Sequence, residues 1–351
     1  LTARLPPHEA GEVLGAGGRT RGAVELAEEV ALRRRRPRDA RPGAFAPGRL
    51  VGSTAMSSPP ETRWRCSVAA AERADDPVGT AVPAPRWMLV GHPGPWTDKA
   101  ATTPPVLDVR PPLVRALDAV QARLQLIRPH GRVDDFVAPW PVLLVDSERR
   151  RIVRATWREP SDLVALAERF TELVDTAPHD PDDLVVLVCC HGKKDPCCAV
   201  EGRVVARVLD DALPGAVWET THLGGDRFAG NIALLPEGSM YGRLDGTSAP
   251  DVVIGHLDGE VDLARWRGRT TWGSPEQVAV HSVMRDEGVA LADVAAVTSA
   301  AVDGSTWEVE VSTAGRTYRR AVARSFSEPC RLTCGLDLKV MAQWSVVGGP
   351  G

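Results

Sequence analysis

The chain has no long apolar run and no strong net charge. In its 351 residues the longest apolar stretches, such as Leu184 to Cys190, extend over seven residues, whereas a membrane-spanning helix needs roughly 20. The 42 basic residues face 46 acidic ones and leave a formal charge of −4. These absences predict no membrane segment and no nucleic acid bound through a general positive field. The 43% of hydrophobic residues suffices for two or more ordinary cores.

Lysine is scarce in this chain, and glycine-rich nucleotide-binding loops are missing. Four lysines stand against a large excess of arginine, a bias that, with abundant Ala, Gly and Pro, is typical of a GC-rich bacterial genome. No dinucleotide-binding or P-loop glycine motif occurs, so nicotinamide, flavin and ATP have no sequence support. Seven cysteines make an odd count, and four lie within ten residues, where disulfides would be strained. We therefore expect a reduced, cytoplasmic metal site.

Residues 1–55 differ in composition from the rest of the chain. They carry ten arginines, including the run Arg33 to Arg36, and six acidic residues, without sustained apolar periodicity. The apolar core and small-residue cleavage site of a secretory signal peptide are absent. The segment is interpreted as disordered or mis-assigned upstream sequence, with Met56 opening the protein. The alternative is a basic arm that touches an acidic partner.

From residue 56 onward, the order of predicted elements suggests a duplication. A strand, a helix, three short strands and a second helix fill residues 56–175, and nearly the same order returns in residues 176–270. Residues 271–351 add a helix, a β-hairpin and a cysteine-containing tail. The predicted fold class is α/β (α+β), with two similar domains and a small C-terminal α+β extension. Only the second domain contains the four clustered cysteines.

The run Cys189-Cys190-His191-Gly192-Lys193-Lys194-Asp195-Pro196-Cys197-Cys198 carries the predicted chemistry. It leaves a buried strand and enters a helix, the kind of loop in which α/β domains place their sites. Its cysteine spacing argues against a Cys-x-x-Cys redox pair and against the short-spaced ligand pairs of structural zinc. Vicinal cysteines rarely bind one metal together, so one from each end is the natural choice, namely Cys189 and Cys198. Cys190 and Cys197 are then predicted to be small packing residues.

Together with several motifs elsewhere in the chain, this cysteine run resembles the sucrase/ferredoxin-like family of thioredoxin-like [2Fe–2S] proteins. The similarity is carried by the cysteine run together with Trp218 to Asn231, Leu235-Pro236 and Met240 to Leu244, and more weakly by residues 65–70, 86–96 and 334–335. The resemblance implies a thioredoxin-like ferredoxin domain with one [2Fe–2S] cluster at residues 176–270. It also implies a degenerate thioredoxin-like domain without ligands at residues 56–175.

The family motifs also imply ligands for the cluster. A Cys-x₈-Cys loop supplies two thiolates in that family, and a His-x₃-His motif supplies two imidazoles. Carried over to this chain, the ligands are Cys189, Cys198 and His222. The second histidine position holds Asp226, so the fourth ligand is either Asp226 or, if the tail folds back, Cys334. An imidazole ligand also agrees with independent chemistry, because it raises the reduction potential, as in Rieske centres.

These inferences predict an electron-transfer protein that exchanges single electrons with a redox partner protein. The alternative is a zinc- or thiol-based module that binds a partner without electron transfer. Sugar hydrolysis is not expected. Asp210 and Asp211 are adjacent on a predicted helix and point about 100° apart, which does not place a carboxylate pair across a glycosidic bond.

Overall fold

A computed structural model describes residues 64–131 and 135–348 of the chain. The predicted upstream segment, residues 1–55, and the predicted start at Met56 lie outside the described residues. The described ranges contain seven α-helices and a large mixed sheet, which confirms the predicted α/β (α+β) class. None of the helices in these ranges combines the length and the apolar composition that spanning a bilayer requires.

The first half of the large sheet is built from residues 64–177. Its elements are α1 (Cys66–Glu72), β1 (Arg86–Gly91), the 3₁₀ turns Ala100–Thr102 and Val106–Val109, α2 (Arg110–Ala119), β2 (Ala122–Pro129), β3 (Trp140–Asp146), β4 (Arg151–Trp157), α3 (Pro160–Glu168) and α4 (Phe170–Thr176). Strand β1 is parallel to β2 and antiparallel to β3, which pairs with β4. Helix α2 supplies the crossover that a parallel pair requires.

The second half repeats this pairing pattern. Its elements are β5 (Val185–Cys189), α5 (Pro196–Ala212), β6 (Val217–Thr220), a 3₁₀ turn (Asp226–Phe228), β7 (Ile232–Leu235), β8 (Ser239–Tyr241), α6 (Ser248–Leu257) and β9 (Trp266–Arg269). Strand β5 is parallel to β6 and antiparallel to β7, which pairs with β8. Strand β9 then adds to the edge of β8.

The two halves share one nine-stranded sheet in the order β4-β3-β1-β2-β6-β5-β7-β8-β9. Antiparallel pairing of β2 with β6 joins them, with Ile127 opposite Thr220. Along the described chain, the sheet therefore continues across the predicted division at residue 175. The domain boundaries themselves stay predictions.

The sheet buries apolar side chains on both faces. In β1, Met88 and Val90 pack against the helices of the first half, whereas Trp87 and Leu89 face the opposite side. That opposite side continues into β5, where Leu187 belongs to the same apolar group. Period-two alternation therefore gives the centre of the sheet one core to which both halves contribute.

The C-terminal segment is a helix with a second sheet. Its elements are α7 (Ser274–Glu287), a 3₁₀ turn (Leu291–Asp293), β10 (Ala296–Ala301), β11 (Thr306–Ser312), β12 (Thr317–Phe326), β13 (Cys330–Arg331), β14 (Leu338–Lys339) and β15 (Ala342–Val347). The sheet order is β10-β11-β12-β15, and β13 pairs with β14 separately. Val309 and Val322 join the core of the second half, so one apolar core continues across residue 270.

Candidate metal centre

Cys189 and Cys190 lie on opposite faces of the sheet. Cys189 is the last residue of β5, and its fully buried side chain belongs to the apolar group that both halves share. The next side chain, Cys190, packs on the other face beside α5. Burial raises the pKa of the Cys190 thiol well above its usual value, as expected for an apolar packing residue. Strand alternation therefore leaves only Cys189 on the side of the candidate site.

The start of α5 separates the other vicinal pair. Asp195 caps the helix by accepting a hydrogen bond from the backbone N–H of Cys197 at 2.9 Å. In the first turn, Cys198 is fully buried in the same apolar group as Cys189. Cys197 points about 100° away around the helix axis and packs in a different group. The fold therefore brings Cys189 and Cys198 together and turns Cys197 away.

Gly202 permits the close approach of α5 to the end of β5. A Cβ atom at this position would lie 2.0 Å from the carbonyl oxygen of Cys189 and 3.3 Å from Sγ of Cys190. The first of these contacts is with backbone, which cannot rotate away. The absence of a side chain at Gly202 is therefore needed to hold α5, and with it Cys198, against the strand.

Replacement of Gly202 by alanine is expected to lower the free energy of unfolding by about 1–3 kcal/mol, because overpacking forces α5 away from β5. Metal content should fall in parallel, since Cys198 moves with the helix. Gly255→Ala in α6 is the matched control: its Cβ would meet nothing closer than 3.6 Å, and a helical alanine is favoured over glycine by about 0.5–1 kcal/mol. Denaturant unfolding and metal analysis provide the measurements. Equal stability changes in the two variants would contradict the role given to Gly202.

His222 lies in a loop after β6 whose backbone is held by surrounding side chains. Its carbonyl oxygen accepts hydrogen bonds from Arg123 Nη2 at 2.7 Å and from Gln125 Nε2 at 3.2 Å. Its N–H donates to Nδ1 of His191 at 3.2 Å, and Nε2 of His191 donates to the carbonyl oxygen of Thr97 at 2.6 Å. These contacts hold the His222 backbone in place on both sides of its peptide groups.

The turn at Gly224 and Gly225 brings the chain back toward His222 and Cys198. Both glycines have positive φ values, +96° and +75°, which a residue with a Cβ rarely adopts. The buried guanidinium of Arg267 donates to the carbonyl oxygen of Gly224 at 2.9 Å, and Asn231 Nδ2 donates to that of Gly225 at 2.8 Å. The turn leads directly into the 3₁₀ segment that begins at Asp226.

Three predicted ligands form one group of donors. One ligand atom from each of Cys189, Cys198 and His222 lies within 4.8 Å of the others. Asp226 is buried beside this group, with Oδ1 at 3.1 Å from Sγ of Cys198 and at 3.1 Å from Nδ1 of His222. The arrangement therefore offers two thiols and an imidazole at one place, with a carboxylate in contact with Cys198 and His222.

The local charges favour an anion on Cys189. A hydrogen bond from Cys198 is the largest of the effects that hold the pKa of Cys189 well below its usual value despite burial. The Cys189 anion in turn raises the pKa of Cys198. Burial lowers the pKa of Arg123 to about 10 and that of Arg267 to about 9. Both guanidiniums therefore stay charged at neutral pH and face a buried thiolate.

The donors fit a bound metal centre. Nδ1 of His222 is buried and has no hydrogen-bond partner, because its contact with Asp226 lacks hydrogen-bond geometry. Buried polar groups normally have a partner, and an unpaired one needs an explanation. A metal accepts that lone pair directly and also takes up the two thiolates.

The structure places Cys334 apart from this group. Its Sγ lies 3.3 Å from Sγ of Cys197 and 3.7 Å from Sγ of Cys66. These residues form a second group of possible ligands with Asp195. Of the two predicted candidates for the fourth ligand, the structure therefore brings Asp226 to the Cys189 group and Cys334 to the other.

Three residues around the site were not predicted from the sequence: Arg123, Gln125 and Arg267. Arg123 and Gln125 belong to β2, about a hundred positions before His222, and Arg267 belongs to β9. No local pattern marks an arginine whose partners are the carbonyl oxygens of a distant loop. Lys194, from the cysteine loop, lines a cavity of about 190 Å³ together with Lys99, Arg123, His191 and His222.

Comparison with known proteins gives two matches. The family described as Sucrase/ferredoxin-like matches residues 77–268. "Altered inheritance of mitochondria protein 32" from the yeast Meyerozyma guilliermondii is 32% identical over 95 residues, which are 24% of this chain and 32% of that protein. The match thus spans about a third of the length of this curated relative. No solved structure matches the chain.

Proposed function

The chain belongs to the sucrase/ferredoxin-like family, and we propose that it is an electron-transfer protein carrying one [2Fe–2S] cluster. Such a cluster, when bound, accepts and donates single electrons. Cys189, Cys198 and His222 would hold it, with Asp226 as the fourth ligand. The Rieske-like mixture of thiolate and imidazole is the chemical feature that distinguishes this donor set from that of an all-cysteine ferredoxin.

The unpaired Nδ1 of His222 is the observation that carries the proposal. The His222 backbone has three hydrogen-bond partners, whereas its buried Nδ1 has no hydrogen bond and contacts only the Asp226 carboxylate, at 3.1 Å. A histidine kept for packing alone would leave that nitrogen desolvated at a cost of about 1–3 kcal/mol. Coordination of iron removes the cost and explains why the loop is held so closely.

The surrounding cations suit an anionic centre. Two thiolates and one carboxylate give an oxidised [2Fe–2S]²⁺ core a net charge of about −1, and reduction makes it more negative. Arg267, 1% exposed, and Arg123 hold positive charge near Cys189. A buried charge without a nearby opposite charge is strongly unfavourable, so a bound anionic cluster would also stabilise these guanidiniums.

Electrons would leave through His222. Its side chain is 22% exposed, whereas Cys189 and Cys198 are fully buried. The cavity beside it is bordered by Lys99, Lys194 and Arg123. A redox partner protein with an acidic surface would complement this edge and dock where the path to the ligand is shortest.

A zinc-binding module without electron transfer is the second candidate, because one observation favours it. The thiol and imidazole donors lie within 4.8 Å of one another, a spacing that a single tetrahedral ion also accepts. Zinc is colourless and does not change oxidation state, so visible absorption separates the two candidates.

Protein purified anaerobically after expression with ample iron is expected to be red-brown, with about two irons and two acid-labile sulfides per chain. Reduction should produce an EPR signal. Iron analysis, sulfide analysis and absorption spectra provide the test. Colourless protein whose only metal is zinc, lost in a Cys189→Ser variant, would contradict the proposal.

A further inference from the structure

A second group of thiols lies outside the proposed cluster site. Cys66 is in α1, Cys197 is in the first turn of α5, and Cys334 is in the tail between β13 and β14. Sγ of Cys334 lies 3.3 Å from that of Cys197 and 3.7 Å from that of Cys66. Both carboxylate oxygens of Asp195 lie 3.7 Å from Sγ of Cys66. Three segments far apart in sequence therefore converge on one point.

The spacing of these donors is that of a tetrahedral zinc site. Zinc binds thiolate sulfur at about 2.3 Å, so two sulfurs on one tetrahedral ion lie about 3.8 Å apart. The Cys334–Cys66 separation of 3.7 Å is close to this value and the Cys334–Cys197 separation of 3.3 Å is shorter, and one donor atom from each of the four residues lies within 4.8 Å of the others. Three cysteines and one oxygen or nitrogen ligand complete a four-coordinate structural site.

The surroundings stabilise thiolates at this point. Ser67 Oγ donates to Sγ of Cys197 at 3.4 Å, and Arg65 also contacts that sulfur. Cys197 lies at the N-terminal end of the 17-residue helix α5, where backbone N–H groups favour a negative charge. The carboxylate of Asp195 accepts hydrogen bonds from the backbone N–H of Cys197 at 2.9 Å and from that of Cys334 at 2.6 Å. These bonds fix the carboxylate beside the thiols.

The geometry points to a structural Zn²⁺ site formed by Cys66, Cys197 and Cys334, with Asp195 as the fourth ligand. It is separate from the proposed cluster site, because Cys197 and Cys198 leave α5 in different directions and pack in different apolar groups. The inference does not depend on the proposed electron transfer.

A bound ion would give the tail an anchor that apolar packing does not provide. Three tail residues are strongly exposed: Leu336 is 84%, Leu338 is 63% and Val340 is 52% exposed. The strands β13 and β14 have only two residues each. A short hairpin of this kind is not stable by itself, and the Cys334 ligand would tie it to α1 and α5.

A disulfide between Cys197 and Cys334 is the competing state. It would use two of the three thiols and leave Cys66 as a buried thiol that donates to the carboxylate of Asp195. A zinc ion, unlike this disulfide, would bind all three of the sulfurs that converge with the Asp195 carboxylate.

The test is the metal content of the full chain after purification with zinc present. We expect about one zinc per chain in the unaltered protein. In Cys334→Ser and Cys66→Ser, zinc should fall about tenfold or more, because one ligand is lost. Cys330→Ser is the matched control, since Cys330 lies in the same tail but outside the donor group, and it should keep its zinc.

Two further measurements keep the result separate from the proposed function. Iron and sulfide should be unchanged in Cys334→Ser, and Cys189→Ser should lose iron and keep zinc. Co²⁺ added to zinc-free protein should give a thiolate charge-transfer absorption that is absent in Cys334→Ser.

Circular dichroism shows whether the variants fold, and Cys334 in the partly exposed tail is the position at which a substitution is expected to be tolerated. Zinc unaffected by Cys334→Ser, or a Cys197–Cys334 disulfide found by mass spectrometry in zinc-free protein, would overturn the inference.

Discussion

Serine in place of Cys189 or of Cys198 is expected to abolish the visible absorption of the purified protein. Each thiol is fully buried beside the other, and each supplies one of the two anionic sulfur ligands of the proposed cluster. A serine hydroxyl is a harder and far less acidic ligand than a cysteine thiol. Iron and sulfide content should fall with the absorption, to background in both variants.

Alanine at Cys190 is the control for these substitutions. Cys190 is also buried and is adjacent to Cys189, but it faces the core beside α5. Its replacement removes one sulfur from a packed core at a cost of about 1 kcal/mol in stability, and iron and absorption should be retained. Loss of the cluster in Cys190→Ala, with retention in Cys189→Ser, would show that the wrong member of the pair has been assigned.

The choice within each cysteine pair follows from the local periodicity of the sequence. Cys189 ends a run of buried β residues, so its direction is set by strand alternation. Cys198 follows a Pro at the start of a helix, so its direction is set by a turn of about 100° per residue. Strand alternation and helix rotation both depend only on neighbouring residues. The choice of Cys189 and Cys198 could therefore be predicted from a single sequence.

The contacts that hold His222 have no such local origin. Arg123 and Arg267 reach the loop from β2 and β9 through pairing between distant strands. Strand β9 (Trp266–Arg269) shows no alternation of apolar and polar residues, so its sequence carries no local strand signal. Arg267 is buried there by its contacts with Gly224 and Asn231, which only the tertiary fold reveals.

The position of Cys334 also depends on tertiary structure. From the sequence, a tail cysteine could serve either site, because the entropy of closing a loop grows only slowly with its length. The structure directs the tail to Cys66 and Cys197, where Asp195 binds the backbone N–H of Cys334 at 2.6 Å. Asp226, by contrast, follows His222 after a short glycine turn and is placed by local geometry.

Histidine in place of Asp226 is expected to preserve the cluster and to raise its reduction potential by about 100–300 mV, because a neutral imidazole replaces an anionic carboxylate. Asp226 Oδ1 lies 3.1 Å from both Cys198 Sγ and His222 Nδ1, so an imidazole at this position can reach the same metal. Asp226→Ala removes the ligand and should destabilise the cluster or shift its EPR g-values strongly. Redox titration followed by absorption measures the potential.

Alanine at Cys334 tests the competing ligand. If Asp226 binds the cluster, Cys334→Ala should leave the g-values and the potential unchanged, as should Cys66→Ser, which disturbs the same tail anchor without touching the proposed cluster. If Cys334 were the ligand, its substitution alone would shift the g-values or remove the cluster, whereas Cys66→Ser would not. Loss of the cluster in Cys334→Ala, with the spectrum and potential of Asp226→Ala unchanged, would show that the carboxylate beside His222 does not bind iron.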